Sequence, residues 1–340
     1  MPIEFDKRAA LRFGAGVSSA FVVSQILAWP LCFIMPIFVA MFLQAPAQVP
    51  LNVVYRLILK TAGILALGLF ISLVFLPYPL VFSVITVSGL FLIFRLGATG
   101  SSPLLVVIAL IAILLIPVLV LGDSDVAASV TMWLLIDFIL GISVAGFFFY
   151  LIPVERRPDA PAATPAPLPE NEVIARSFRM TLVVAPLALG FLMFGWSSVL
   201  TLIMAAILAQ QLSAATGLQS GLALLVANMA GALVAWLVYN ILVAAPSMPL
   251  MAGLTAFVAF ATGVCFFSNI KALKLAGSAN NAYLVLLGGS LAPFSDDVET
   301  KITQRIYLIA LAVAYVVIVF QVIEGLRTRK KELEHDVQEV

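Results

Sequence analysis

The chain has 340 residues, of which 63% are hydrophobic and only 10% are charged, and its formal net charge is +1. A soluble domain carries about 25% charged residues, so this composition excludes a soluble globular protein and is typical of a polytopic membrane protein in a lipid bilayer. Two cysteines are too few for a disulfide framework or a metal cluster. We expect no nucleic-acid partner.

Apolar runs of about 20 residues can cross a bilayer as helices, and the chain contains two sets of six. The first set is predicted at 10–28, 30–44, 54–76, 79–95, 103–121 and 126–151. The second set is predicted at 175–194, 197–212, 218–244, 249–268, 279–293 and 302–326. The spans 30–44, 197–212 and 279–293 are short, so they could be re-entrant and the total could be ten instead of twelve.

Residues 8–52 recur at 176–219. In each copy an Arg, a Trp and a Gln are separated by 17 and then 15 residues, at Arg12, Trp29 and Gln44 and again at Arg179, Trp196 and Gln211. Internal repeats are frequent in transporters. The predicted fold is therefore all-α, with two parallel transmembrane repeats of about six helices at 1–152 and 173–326. A Pro-rich cytoplasmic linker at 153–172 joins them, and a charged cytoplasmic tail follows at 327–340.

The charge distribution predicts that both termini are cytoplasmic. In this arrangement 16 of the 18 basic residues lie at the inner ends of spans, and only Lys301 and Arg305 lie outside. This asymmetry agrees with the positive-inside rule.

Enzyme chemistry is not expected. The sequence contains no G-x-x-x-x-G-K-[ST] and no H-E-x-x-H motif, and His335 is its single histidine. We therefore predict no enzyme activity, no cofactor and no metal, so any work must draw on an ion gradient or another protein.

Asp137 lies near the middle of the sixth predicted span. A carboxylate at this depth is energetically costly, and by default such a residue is functional. We expect Asp137 to face the interior of the bundle and to carry a proton. The alternative is a structural hydrogen bond to a neighbouring helix.

Two segments in corresponding places, 95–103 and 271–281, combine a basic residue, Gly-Ser and the start of a new helix. Backbone N–H groups at such a start favour anions, although both segments could be ordinary loops. Arg56 and Lys60 lie one turn apart at the start of the third span, where they could attract an anionic substrate or only anchor the topology. Gln44 and Gln211 end the second span of each set, where they could bind substrate or hold the hairpin. The substrate-binding candidates are Arg56, Lys60, Arg95, Ser101, Ser102, Lys271, Lys274, Ser278, Asn280, Asn281, Gln44 and Gln211.

Each repeat opens with a basic segment, RAALR at 8–12 and ARSFR at 175–179, followed by a tryptophan. This layout resembles the fusaric-acid-resistance and aromatic-acid-exporter superfamily. The resemblance implies a bacterial inner-membrane exporter of aromatic carboxylic acids that uses the proton gradient, often with a periplasmic adaptor and an outer-membrane channel. Long members carry a cytoplasmic domain where this chain has only its Pro-rich linker.

Together these features favour a secondary-active, proton-coupled exporter of small organic anions. The alternatives are a passive channel and a non-transporting membrane subunit that anchors a partner complex. The sequence leaves the substrate and the oligomeric state open, including a homo-oligomer.

Overall fold

A computed structural model of the chain describes residues 5–28, 31, 33–154, 169–194 and 218–291. Within these ranges the structure consists of ten α-helices and one 3-10 helix, with no strand longer than an isolated bridge. The helices are α1 (Lys7–Leu27), α2 (Ile34–Leu43), α3 (Leu51–Phe75), α4 (Pro79–Ala98), α5 (Pro103–Gly122), α6 (Ser124–Leu151), α7 (Glu170–Phe194), α8 (Leu218–Ala244), α9 (Met248–Phe266), the 3-10 helix (Lys271–Leu275) and α10 (Ala276–Leu291).

Eight of the described helices are long and apolar enough to cross a membrane, namely α1 and α3 to α9. This confirms the prediction of an all-helical polytopic membrane protein. α2 has 10 residues and α10 has 16, which correspond to about 15 Å and 24 Å of helix. The predicted spans 197–212 and 302–326 and the tail 327–340 lie outside the described residues.

Several helices begin a few residues earlier than the sequence predicts, among them α7 and α10. α7 begins at Glu170, inside the predicted linker, and carries Glu170 and Glu172 in its first turn. Acidic side chains stabilise the positive end of the helix dipole there. α10 begins at Ala276, directly after the 3-10 helix, so that no loop separates the basic residues Lys271 and Lys274 from the helix start.

α1 packs antiparallel against α9 through small residues. A Cβ on Gly14 would lie 3.0 Å from the Cα of Phe260, and one on Gly263 would lie 3.1 Å from the carbonyl oxygen of Ala10. The backbone N–H of Asp6, just before α1, donates to the carbonyl of Phe267, just after α9. Small residues allow helices in membranes to approach closely, and here they hold the first helix against a distant one.

Three further helix pairs pack closely elsewhere in the bundle. α7 packs on α4, and Arg95 at the end of α4 forms an ion pair with Glu170 at the start of α7 (3.3 Å). α3 packs on α5 where Gly68 meets Ala112, and α8 packs on α10 where Gly231 meets Ala279.

The two short helices lie side by side in the core. Gly288 of α10 faces Phe33 at the start of α2, and Gly277 faces Gln44 at the end of α2. The helices are therefore antiparallel. Nearly all of α2 and the segment 282–289 of α10 are buried, because longer helices cover them on several sides.

Candidate functional site

The first turns of α10 carry a cluster of polar side chains in the interior. Asn280 is completely buried and is hydrogen-bonded to Thr262 of α9 (Oδ1–Oγ1 3.2 Å). Ser278 is hydrogen-bonded to Asn228 of α8, whose Nδ2 donates to the serine Oγ at 3.1 Å. Asn281 is half-buried beside them in sequence. One short helix thus draws polar groups from two neighbouring helices.

Gln44 joins this cluster from the first half of the chain. Its Oε1 lies 3.1 Å from the position that a Cβ on Gly277 would take, so the missing side chain at Gly277 makes room for the amide. We name the set Gln44, Asn228, Thr262, Ser278, Asn280 and Asn281 the amide cluster. It contains four of the residues that the sequence predicts to bind substrate.

The amide cluster has hydrogen-bonding capacity that the described residues do not fill. Gln44 Nε2, Asn280 Nδ2 and Asn281 Oδ1 are buried atoms with no hydrogen-bond partner in that part of the chain. Buried polar groups in folded proteins nearly always have a partner, and an amide side chain can both donate and accept. The cluster is therefore suited to hold a polar ligand.

The corresponding contact between α3 and α5 is apolar. Leu65 precedes Gly68 by three residues, as Asn228 precedes Gly231, and Ile111 and Ile113 flank Ala112, as Ser278 and Asn280 flank Ala279. Leu65 and Ile111 are 3% and 5% exposed. A Gly–Ala helix contact of this kind therefore does not require polar neighbours.

Asp137 lies in the middle of α6 and has no exposed surface. It is 13 residues from Ser124 and 14 from Leu151, which places it about 20 Å from each end of the helix. The adjacent Phe138 packs on Phe38 and Phe42 of α2, with ring centroids 5.3 and 5.7 Å apart. The carboxylate thus lies in the interior, on a helix that packs on α2.

The predicted basic residues lie at the surface. Lys271 and Lys274 are exposed on the 3-10 helix that leads into the amide cluster. Arg56 and Lys60 are exposed on α3. Arg95 is exposed and paired with Glu170. Such positions suit an electrostatic effect on approaching ions more than direct contact with a buried ligand.

The two matched segments have different surroundings. Segment 271–281 runs into the amide cluster, whereas Ser101 is half-buried and Ser102 is exposed in the turn between α4 and α5. Gly100 in that turn has a φ of 89°. The structure therefore brings Gln44 to Ser278, Asn280 and Asn281, but leaves Ser101 and Ser102 in a surface turn. Gln211 lies outside the described residues.

Sequence reasoning missed Asn228 and Thr262 as members of the amide cluster and missed the burial of Arg12. Arg12 is 2% exposed. Its Nη1 donates to the carbonyl of Ile152 at 3.0 Å, and its Cζ lies 4.3 Å from the ring centroid of Phe149. The available signal was an arginine inside an apolar span, which is as unusual as the carboxylate of Asp137.

Comparisons with known proteins identify no function. No curated protein matches the chain, and no solved structure matches it. Residues 9–148, which include Gln44 and Asp137 but not the α10 part of the amide cluster, match the model of a family described as a protein of unknown function, DUF2955.

Proposed function

We propose that this protein is a secondary-active transporter of small organic anions, such as aromatic carboxylic acids, in the bacterial inner membrane, and that Asp137 couples transport to protons. The observation that carries the proposal is the amide cluster. Buried amides at the start of α10 replace the apolar residues at the corresponding contact of α3 and α5. Gln44 Nε2, Asn280 Nδ2 and Asn281 Oδ1 keep hydrogen-bonding capacity that the described residues do not fill, and a polar ligand would fill it.

The cluster suits an anion for electrostatic reasons. The first N–H groups of α10 lie at its positive end, and the side-chain amides of Gln44 and Asn280 add hydrogen-bond donors. Lys271 and Lys274 precede the helix by a few residues. Their charge raises the local concentration of anions near this end of the bundle.

Two parallel repeats form part of this proposal. The Gly residues at 68 and 231 are 163 residues apart, and the Ala residues at 112 and 279 are 167 apart, close to the offset of the Arg, Trp and Gln pattern. The reciprocal packing of α1 on α9 and of α7 on α4 supports the same symmetry. Short helices at the repeat interface are the best pointer to a transport site, and α2 meets α10 there.

Asp137→Asn tests the coupling. We expect the variant to reach normal levels in the membrane, because asparagine has nearly the same shape. In proteoliposomes that contain the purified full chain, benzoate transport driven by a pH gradient should fall by about 100-fold or more, the lower end of what a positioned proton-transfer group contributes. Asp125→Asn is the matched control, since Asp125 lies on the same helix but is exposed at its first turn.

Three results would contradict the proposal in different ways. Full gradient-driven transport by Asp137→Asn would reject the proton carrier. Benzoate flux that is insensitive to the gradient would indicate a passive channel. Absence of flux for every anion tested, together with co-purification of a tightly bound protein, would indicate a non-transporting subunit that anchors a partner complex.

A further inference from the structure

A cavity of about 240 Å³ lies on the opposite side of α2 from the amide cluster. It is enclosed by the end of α2, the start of α3 and the second half of α6. Phe42 lines it, whereas Gln44 belongs to the amide cluster. Phe42 and Gln44 are two positions apart, and residues with this spacing on a helix point in directions about 200° apart. The end of α2 therefore stands between the cavity and the amide cluster. The cavity is therefore a separate space.

The walls of the cavity are apolar and its mouth is polar. The rings of Phe42 and Phe149 and the side chains of Val54 and Ile142 form the walls. Both rings are almost completely buried, whereas Gln48, at the cavity edge, is exposed. Aromatic rings favour offset or edge-on contact with another ring. The shape and lining suit a small flat ring whose polar end reaches Gln48.

A buried cation lies behind one wall. The guanidinium of Arg12 sits on the ring of Phe149 at 4.3 Å. Its recorded partners among the described residues are this ring and the Ile152 carbonyl, and none of those residues forms an ion pair with it. A buried charge normally has a partner of opposite charge, because its desolvation is costly. The carboxylate of Asp6, just before α1, offsets part of the charge of Arg12 from a distance. The remaining positive charge favours a negatively charged occupant of the cavity.

We propose that this cavity is a binding site for a small aromatic carboxylate, at the end of the bundle where α1 begins, and that Arg12 makes it selective for anions. This inference rests on the proposed function, since it assigns a second binding place for the same class of anion. The ring of the ligand lies between Phe42 and Phe149, and its carboxylate lies at the mouth beside Gln48. Arg12 acts through its charge and through the position of Phe149.

Filling the cavity tests the location. In the purified full chain, the affinities of benzoate and benzamide are measured by saturation-transfer NMR titration, which needs no gradient. A Cβ on Gly146 would lie 3.7 Å from Gln48 Nε2, an ordinary contact, so Gly146→Ala is tolerated and Gly146→Leu projects into the cavity. We expect Gly146→Leu to weaken both ligands by about tenfold and Gly146→Ala to weaken them less.

Gly253→Leu is the matched control, because Gly253 on α9 has nothing within 4 Å of its Cβ position. It should bind both ligands as the wild type does. Wild-type affinity in Gly146→Leu, or no benzoate binding by the wild type, would overturn the location. Binding is measured here without transport, so a failure to bind at the cavity does not contradict the proposed transport function. Likewise, a loss of transport in vesicles does not contradict binding at the cavity.

Replacing Arg12 tests the selectivity. Arg12→Gln should weaken benzoate by at least about threefold, as expected for a charge acting across one aromatic ring, while benzamide affinity stays unchanged. Arg12→Lys should retain most of the preference for benzoate. A purely structural role would lower both affinities equally, and that result, or an unchanged ratio in Arg12→Gln, would overturn the role of Arg12.

Discussion

The contact between Gly231 and Ala279 is the point where one added methyl group should disturb the amide cluster most. In Gly231→Ala, the new Cβ would lie 2.8 Å from the carbonyl carbon of Ala279 and 3.0 Å from its Cα. Carbon atoms prefer about 3.5–4.0 Å, so α10 must move away from α8 by about 1 Å. The Asn228–Ser278 hydrogen bond, now 3.1 Å, would then lengthen to about 4 Å, beyond hydrogen-bond range.

The energetic effect follows from three contributions. Overpacking costs about 1–3 kcal/mol, and loss of the hydrogen bond costs about 1 kcal/mol. The better helix propensity of alanine returns about 0.5–1 kcal/mol. We therefore expect a net destabilisation of about 2 kcal/mol, seen as a lower melting temperature in detergent, and weaker transport of benzoate.

Gly253→Ala provides the control for propensity alone, because its Cβ position has open space around it. This variant should be neutral or slightly stabilised, since a helix-interior glycine is replaced without any clash. If Gly231→Ala melts at the wild-type temperature and transports normally, the close approach of α8 and α10 does not position the amide cluster.

Asn280→Leu should raise the KM of benzoate uptake in proteoliposomes by about tenfold. The matched variant Asn240→Leu, on an exposed face of α8, should leave the KM unchanged, and equal KM values for the two variants would exclude Asn280 from the site. Lys271→Gln should weaken benzoate transport more than Arg95→Gln does, because the carboxylate of Glu170 at 3.3 Å already offsets the charge of Arg95. Transport of a neutral analogue, measured in parallel, should respond to neither change, and an equal loss for both compounds would remove the electrostatic argument.

The sequence was sufficient for most helix positions. The predicted starts at Pro79 and Pro103 agree with the structure, because proline is favoured in the first helical turn and marks the boundary. Continuous apolar runs and the length needed to cross a bilayer define the rest. The sequence placed the start of α7 at 175, whereas the helix begins at Glu170. Its polar first turn resembles a linker in sequence, although the acidic side chains there stabilise the helix.

The sequence predicted several residues of the site but not the contacts that bring them together. The cost of a carboxylate in hydrocarbon identified Asp137 as a candidate. Its position at the end of the second span identified Gln44, and the small polar segment at a helix start identified Asn280. The sequence did not predict that Gln44 meets Gly277, since this contact joins distant parts of the chain and depends on the packing of α2 against α10. The burial of Arg12 likewise depends on its approach to Phe149, for which one sequence carries no periodic signal.

The packing of α1 on α9 has a consequence for how the chain is made. Roughly 220 residues separate Leu27 from Met248, which at about 5–20 residues per second is a delay of about 11–44 s during synthesis. Throughout that interval the small-residue face of α1 lies in the bilayer before its final neighbour exists. A nascent chain that stops after the family-matched stretch 9–148 would lack that neighbour altogether. Assembly of this protein is therefore completed late, and an insertion chaperone or the lipid itself must cover α1 until α9 arrives.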